Sequence, residues 1–202
     1  MTVLTPELMV RAYASGYFPM ADSEEDGAVY WYRPKLRTVI PIVGLHVPRR
    51  LQRTLRSGRF ESRFNAEFEA VVRACADREE GTWLSEEIIQ VFLELHGLGR
   101  AYCMSVYREG RLVGGIYGMM LGRAFFAESM FHRHRDASKV ALVELVNWLR
   151  ERSFLLLDAQ FMTDHLRQFG AYEVEDTQYE ELLNRALRLG ADADPLVAQL
   201  LG

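Results

Sequence analysis

Cysteine, proline and long apolar runs are scarce in this sequence, and each scarcity excludes something. Cys75 and Cys103 are the two cysteines in 202 residues, far apart, with no C-x-x-C pattern and no histidine at ligand spacing. A disulfide framework and a zinc site are therefore excluded as sources of stability, and no metal is expected; both cysteines read as small core residues. No run approaches the roughly 18 apolar residues that a membrane-spanning helix needs, and MTVLTPELMV lacks a basic segment followed by an apolar core. A cytoplasmic protein with no membrane partner is the expectation. With 6 prolines and 15 glycines and no biased tract, neither a fibrous nor a disordered chain is indicated.

Excess positive charge is missing as well: 24 Lys and Arg against 28 Asp and Glu leave −4, which argues against indiscriminate coating of nucleic acid. The cations that are present cluster. Between Arg33 and Arg63 nine basic residues (Arg33, Lys35, Arg37, Arg49, Arg50, Arg53, Arg56, Arg59, Arg63) face one acid, Glu61, a local balance of +8. HVPRRLQRTLRSGRF predicts a helix from about Pro48 to Ser57, closed by Gly58. Arg49, Arg53 and Arg56 share one face of it at i, i+4, i+7 spacing, while Leu51 and Leu55 dock another. Such a face is an ordinary solvated surface or an anion-binding one, and the spacing leaves both open.

The 49% hydrophobic content and this length suit one well-packed domain with a small appendage. Thr5-Pro6-Glu7 begins a helix that Gly16 ends. From Tyr17 to Pro41 the chain reads as irregular, with Pro19, Pro34, Pro41 and the aromatic cluster YWY at 30–32. FEAVVRACADR and SEEIIQVFLELHGLG are amphipathic helices, the second from Ser85 to near Gly97. The period then turns to alternation: AYCMSVYREGRLVGGIYGMMLGRAFFAESMF holds three apolar runs split at Glu109-Gly110 and at Gly122, an antiparallel meander. DASKVALVELVNWLRER is a helix with Asp136 as its expected cap, SFLLLDAQ a buried strand, and FMTDHLRQFG a helix ending at Gly170. Meander, helix, strand and helix make an α+β layout.

Two strands carry acids where apolar residues belong. In FFAESMF, alternation puts Phe126, Glu128 and Met130 on one face; in LLLDAQF it puts Leu156, Asp158 and Gln160 together. A buried carboxylate is costly unless paired, so each needs a partner or a task. Pairing with the cations of HRHRDASK, or capping a turn, would satisfy them structurally; two such strand sites beside a meander favour a functional site.

GYFPM, WYRPKLRTVIP, GTWL, LVGGIYG, AESMF, ASKVAL, LLDAQ and HLRQFGA stand in the order found in the leucyl/phenylalanyl-tRNA–protein transferase family, which the chain resembles over about residues 13–171. The resemblance implies a small N-terminal domain, residues 1–44, then a GNAT acetyltransferase-like domain, 45–202, with a mainly antiparallel sheet flanked by helices. It implies transfer of Leu or Phe, less readily Met, from Leu-tRNA or Phe-tRNA to the N-terminal Arg or Lys of acceptor proteins, marking them for the bacterial N-end rule pathway. No cofactor is expected, the aminoacyl-tRNA being a co-substrate, and the protein is expected to be a monomer. The chain departs from the family's usual residues at Ala127, at Gln168 and around Glu175 and Asp176.

Matching positions make Glu128, Asp158 and Gln160 the implied catalytic residues. Ile116, Phe125, Met130, Leu145 and Leu157 become the implied aminoacyl pocket, although Phe125 and Met130 fall on opposite faces of an ideal strand unless a bulge intervenes. Trp31 and Trp83 match aromatic positions near the terminal adenosine, where ordinary packing is an equal reading. The implied tRNA grip is Arg49, Arg53, Arg56, Arg59 and Arg63. In the expected chemistry Gln160 accepts a hydrogen bond from the incoming amine, Asp158 polarises that amide and Glu128 holds an ammonium. A coenzyme A-dependent acetyltransferase is the first alternative, disfavoured because FHRHRDASK has no glycine-rich phosphate cradle. A non-catalytic RNA-binding protein is the second, and it leaves Glu128, Asp158 and Gln160 without a task.

Overall fold

Thr5 opens the first helix as its residue type predicts, its Oγ1 accepting from the Leu8 N–H at 3.2 Å, and α1 runs Pro6–Ala14. The structure, a computed structural model, describes residues 4–21, 29–77, 84–191 and 194–201. The stretch from Tyr17 to Pro41 is not irregular. It holds a hairpin of β1 (Phe18–Ala21) and β2 (Val29–Tyr32), then β3 (Leu36–Val39), which enters the main sheet. Proline disguised the hairpin: Pro19 sits opposite Trp31 in a two-stranded ribbon, where a residue without an N–H is tolerated.

The chain continues through α2 (Arg49–Arg56), β4 (Glu61–Phe64), α3 (Phe68–Ala76) and α4 (Glu86–Gly97). The meander follows as β5 (Ala101–Arg108), β6 (Arg111–Leu121) and β7 (Ala124–His132). Glu109 and Gly110, both at positive φ, form the tight turn between the first two. The last elements are α5 (Ala137–Glu151), β8 (Leu156–Asp158), α6 (Asp164–Arg167), β9 (Tyr172–Glu175), α7 (Asp176–Arg188) and α8 (Pro195–Leu201). The expected strand in SFLLLDAQ is thus three residues long, and the helix in FMTDHLRQFG four. Asp136 occupies the N-cap position of α5 at φ 71° without making a capping bond; Thr54 Oγ1 donates to its Oδ2 at 3.4 Å instead.

Seven strands align in the order β4-β5-β6-β7-β8-β3-β9, antiparallel throughout except for β7 and β8, which α5 joins as a parallel crossover. Alternation sends side chains to two cores. On one face Phe126, Tyr117 and Leu156 pack with Met9 and Tyr13 of α1, Val71 of α3 and Phe92 of α4. On the other, Ile116, Phe125 and Leu157 pack with Leu51 of α2 and with Leu142, Leu145 and Val146 of α5. Cys75 and Cys103 are buried and not joined in a disulfide, in keeping with their reading as core residues.

Candidate functional site

β7 and β8 pair from Ala124–Leu156 to Phe126–Asp158 and no further. Beyond that point Ala127 to Met130 and His132 on β7 and Ala159 to Phe161 after β8 line a cavity of about 840 Å³. Glu128 lies where the register of β6 on β7 slips: Tyr117 pairs with Ser129 and Gly118 with Ala127, so Glu128 is an extra residue without a cross-strand partner. This bulge corrects the expected alternation. Phe126 points into one core, while Phe125, Ala127 and, past the bulge, Met130 pack with the other. Gly118 permits it, since a Cβ there would overlap the Phe126 carbonyl and approach the Phe125 ring to 2.5 Å.

Gln160 likewise owes its place to something other than strand alternation. β8 ends at Asp158, and Gln160 follows at φ 56°, a left-handed conformation that a non-glycine residue adopts only when held. Asp158 holds it: Oδ1 accepts from the Gln160 backbone N–H at 2.9 Å. The expected contact, Asp158 polarising the side-chain amide, is replaced by this backbone bond. The amide itself turns to Glu128, Nε2 donating to Oε1 at 3.3 Å, and Tyr13 Oη donates to the same oxygen at 2.7 Å.

Asp158 does not line the cavity. It is fully buried; besides capping the turn at Gln160 it answers not the cations of HRHRDASK but Arg37, which is 1% exposed. Arg37 Nε donates to Oδ1 at 2.9 Å and Nη2 to Oδ2 at 2.6 Å, while Nη1 reaches the Gly16 carbonyl at 2.9 Å. Tyr179 Oη adds a bond to Oδ2 at 2.7 Å, and the guanidinium lies 4.6 Å from the rings of both Phe18 and Tyr179. Burial by itself would lower the Arg37 pKa; the charge and hydrogen bonds of Asp158 raise it instead.

Among the described residues Glu128 has no such cation in contact. Burial pushes its carboxyl up to about 8, reinforced by the Asp158 charge and opposed by the Tyr13 hydrogen bond and by Arg37. Burial and the neighbouring Glu128 carboxylate also hold the Tyr13 phenol well above its ordinary range. A half-buried acid whose carboxyl is raised to about 8, next to a carboxamide and above an apolar wall of Ile116 and Met130, is suited to an amine carrying a greasy side chain.

The family model for leucyl/phenylalanyl-tRNA protein transferase matches residues 39–184, and the model for that family's N-terminal domain matches 3–35. The chain belongs to this family. It is 53% identical over 191 residues to the leucyl/phenylalanyl-tRNA–protein transferase of Paramagnetospirillum magneticum (strain ATCC 700264 / AMB-1), covering 93% of this chain and 91% of that one. To the protein of the same name from Rhodopseudomonas palustris (strain HaA2) it is 48% identical, with 96% and 88% covered. Among solved structures, L-PGS from Bacillus licheniformis aligns with a TM-score of 0.46 at 11% identity, over 91% of this chain and 70% of that one. A GCN5-related N-acetyltransferase-like protein from Streptococcus suis 89/1591 aligns at 0.39 and 14% identity, over 83% and 65%.

Of the five apolar positions singled out in this transferase, Ile116 and Met130 form a cross-strand pair that lines the cavity. Phe125, Leu145 and Leu157 are fully buried one layer behind, in the same cluster. Trp31 lies in β2 against the other core and does not line the cavity, and Trp83 is outside the described residues. Phe18, Met20 and Phe161 form the cavity's aromatic and thioether rim, a feature missed because GYFPM read as a loop. Tyr13, Arg37 and Tyr179 were missed as well. A cation within the apolar run LRTVI was a signal for Arg37; nothing in the sequence marked the tyrosines.

The local +8 is smaller at the surface. Arg37 is spent on Asp158, Arg33 pairs with Asp176 and Glu180, and Arg63 pairs with Glu61. Arg49, Arg50, Arg53, Arg56 and Arg59 remain exposed on and just after α2, which Leu51 and Leu55 dock as expected, and Arg50 reaches the cavity. Among the described residues no helix is long and apolar enough to cross a membrane, and no group of three or more His, Cys, Asp and Glu is placed to hold a metal ion.

Proposed function

We propose that this transferase moves Leu or Phe, and less readily Met, from aminoacyl-tRNA to the N-terminal Arg or Lys of acceptor proteins, forming a peptide bond that marks them for N-end rule degradation. The observation that carries the reading is the cavity in which Glu128 and Gln160 share a hydrogen bond over the Ile116–Met130 wall. Glu128 holds the donor's amino group. With its carboxyl raised to about 8 it is protonated near neutral pH, so it gives its proton to an arriving neutral amine, or releases it when an ammonium arrives. The donor's apolar side chain lies against Ile116 and Met130, whose positions Phe125, Leu145 and Leu157 fix from behind.

Gln160 accepts a hydrogen bond from the acceptor amine and aims it at the ester carbonyl. A neutral amide does not keep a proton, so its task is orientation, and holding the reactants about 3–3.5 Å apart supplies several kcal/mol. Asp158 is a positioning residue that holds the Gln160 backbone. The ester is already activated, so the reaction needs no cofactor or metal. Arg49, Arg53, Arg56, Arg59 and Arg63 contact phosphates of the acceptor stem. The protein works as a cytoplasmic monomer, its unit of residues 1–44 bracing the domain of 45–202.

Transfer of radiolabelled leucine and phenylalanine from charged tRNA to model proteins that differ only in their N-terminal residue tests this. Wild type transfers both to Arg and Lys termini, and Gln160→Ala and Glu128→Gln lower kcat/KM by about 10²–10³, the loss of one positioned polar group. No transfer to any terminus sinks the reading.

A further inference from the structure

The cavity has a second half unlike the first. Arg50 of α2, Arg135 of the β7–α5 turn and Lys139 of the first turn of α5 line it, with His132 beside them. The acid lining this half is Asp136, whose Oδ2 accepts from Thr54, and Lys139 Nζ donates to Gln168 Oε1 at 3.2 Å, so three cations stand against one carboxylate and the half keeps an excess of positive charge. The first turn of α5, a 15-residue helix, also carries no acidic residue and receives no side-chain cap; the Ala137 N–H donates to the His134 carbonyl at 3.0 Å, and the N–H groups of Ser138 and Lys139 are the ones left to face a ligand at the helix's positive end. Gly114 lets this helix start sit tight on β6: a Cβ there would come within 2.6 Å of Ala137 Cβ.

Two polar groups point independently to a ligand. Ser138, only 5% exposed, lines the cavity, and among the described residues its hydroxyl has no hydrogen-bond partner. His165 lines it too, and its buried Nε2 is likewise without a partner among them. The turn into α5 needs no glycine, because Asp136 itself takes the left-handed conformation. An excess of positive charge, with a hydroxyl and an imidazole free to donate beside it, is the complement of an oxyanion. The nature of the anion follows from Arg50, which shares α2 with the exposed Arg49, Arg53 and Arg56, so the cationic track runs from the surface into the cavity.

We propose that Arg50, Arg135, Lys139 and Ser138, at the start of α5, bind a backbone phosphodiester of the donor RNA's unpaired 3′ end. This rests on the proposed function and names the group by which the donor is held on the side away from Glu128. A polyanion lying along α2 delivers a phosphate to this half while its aminoacyl end enters the other.

Two donors carrying the same aminoacyl group test it: an aminoacyl ester of adenosine, without phosphate, and the same ester on a short oligonucleotide ending in that adenosine. The readout is the ratio of their KM values for wild type, Arg135→Gln and Lys139→Gln, with thermal melts as a check on folding. Wild type prefers the oligonucleotide donor, and each substitution shrinks that preference about ten- to hundredfold, the scale of one charged hydrogen bond. The salt dependence of the oligonucleotide's KM flattens by about one unit of slope per cation removed. A preference that both variants leave unchanged overturns the assignment. So does an effect seen only when the acceptor's second residue is Asp or Glu, which would give this half to the acceptor protein. Failure of wild type with both donors overturns the transfer reaction itself, and the subsite with it.

Discussion

At the scale of single residues, the two acids of this site live in opposite surroundings. Glu128 is held by a phenol and a carboxamide, and its carboxyl lies near 8 rather than in the ordinary range near 4.5. Between those values the folded chain binds a proton that the unfolded chain does not. The stability contributed by the neutral acid is therefore complete below about pH 4.5 and lost as pH rises through 8. Glu128→Gln stays neutral at every pH. Chemical denaturation at pH 9 should find it more stable than wild type by on the order of 1–3 kcal/mol, the acid being only half-buried, with the difference gone near pH 4. A constant difference across that range would refute the raised carboxyl. Asp158, by contrast, is matched by Arg37, Tyr179 and the Gln160 N–H. Asp158→Ala leaves Arg37 buried and unpaired, and urea titration should show a loss of about 3–5 kcal/mol. Any fall in activity of that variant must then be read beside its folding.

At the scale of elements, the bulge in β7 and the short β8 make the site. Gly118 faces the bulge, so Gly118→Ala should cost about 1–3 kcal/mol and lower transfer more than a substitution of equal cost elsewhere, because it moves Glu128. Parallel stability and kcat/KM measurements separate the two effects. The meander was legible in the alternation of residues 101–131 and in Glu109-Gly110, and α4 in its Ser85 cap. The hairpin of β1 and β2 was not, since four-residue strands with a proline leave no periodic signal. Alternation misplaced Met130 and Gln160 for one reason: a bulge and a left-handed residue each break the period that the inference assumes. On α2, replacing Arg49, Arg53 and Arg56 by Gln should raise KM for Leu-tRNA and Phe-tRNA alike. It should also lower the slope of log KM against log salt by about one for each phosphate that α2 no longer neutralises. A preference altered for one donor only would point to base readout instead.

At the scale of the whole molecule, the site is assembled from distant parts of the chain. Tyr13 of α1 reaches Glu128 on β7, Arg37 of β3 reaches Asp158 on β8, and Tyr179 of α7 closes over that pair. The N-terminal helix is thus wired to an acid of the central sheet. Tyr13→Phe removes a bond that lowers the Glu128 carboxyl, so that carboxyl should titrate higher still, in the acid limb of kcat/KM against pH or by carboxyl NMR. The accompanying fall in stability should be modest, about 0.5–1.5 kcal/mol. An unmoved titration would mean the two groups are not coupled.

The amino-acid order by itself determined the α+β layout, the meander and its turns, the cationic face of α2 and the family, because these reside in local periodicity and ordered motifs. It also exposed Glu128, Asp158 and Gln160, since a carboxylate in an apolar strand is anomalous whatever its partners. Tertiary structure alone decided that Asp158 is the bracing acid and Glu128 the one facing the cavity. It alone decided which apolar side chains form the wall, and that Arg50 of α2, Arg135 of the β7–α5 turn and Lys139 of α5 line one cavity. Those outcomes depend on contacts between residues far apart in sequence and on a one-residue slip in register, and neither leaves a mark on the local pattern of the chain.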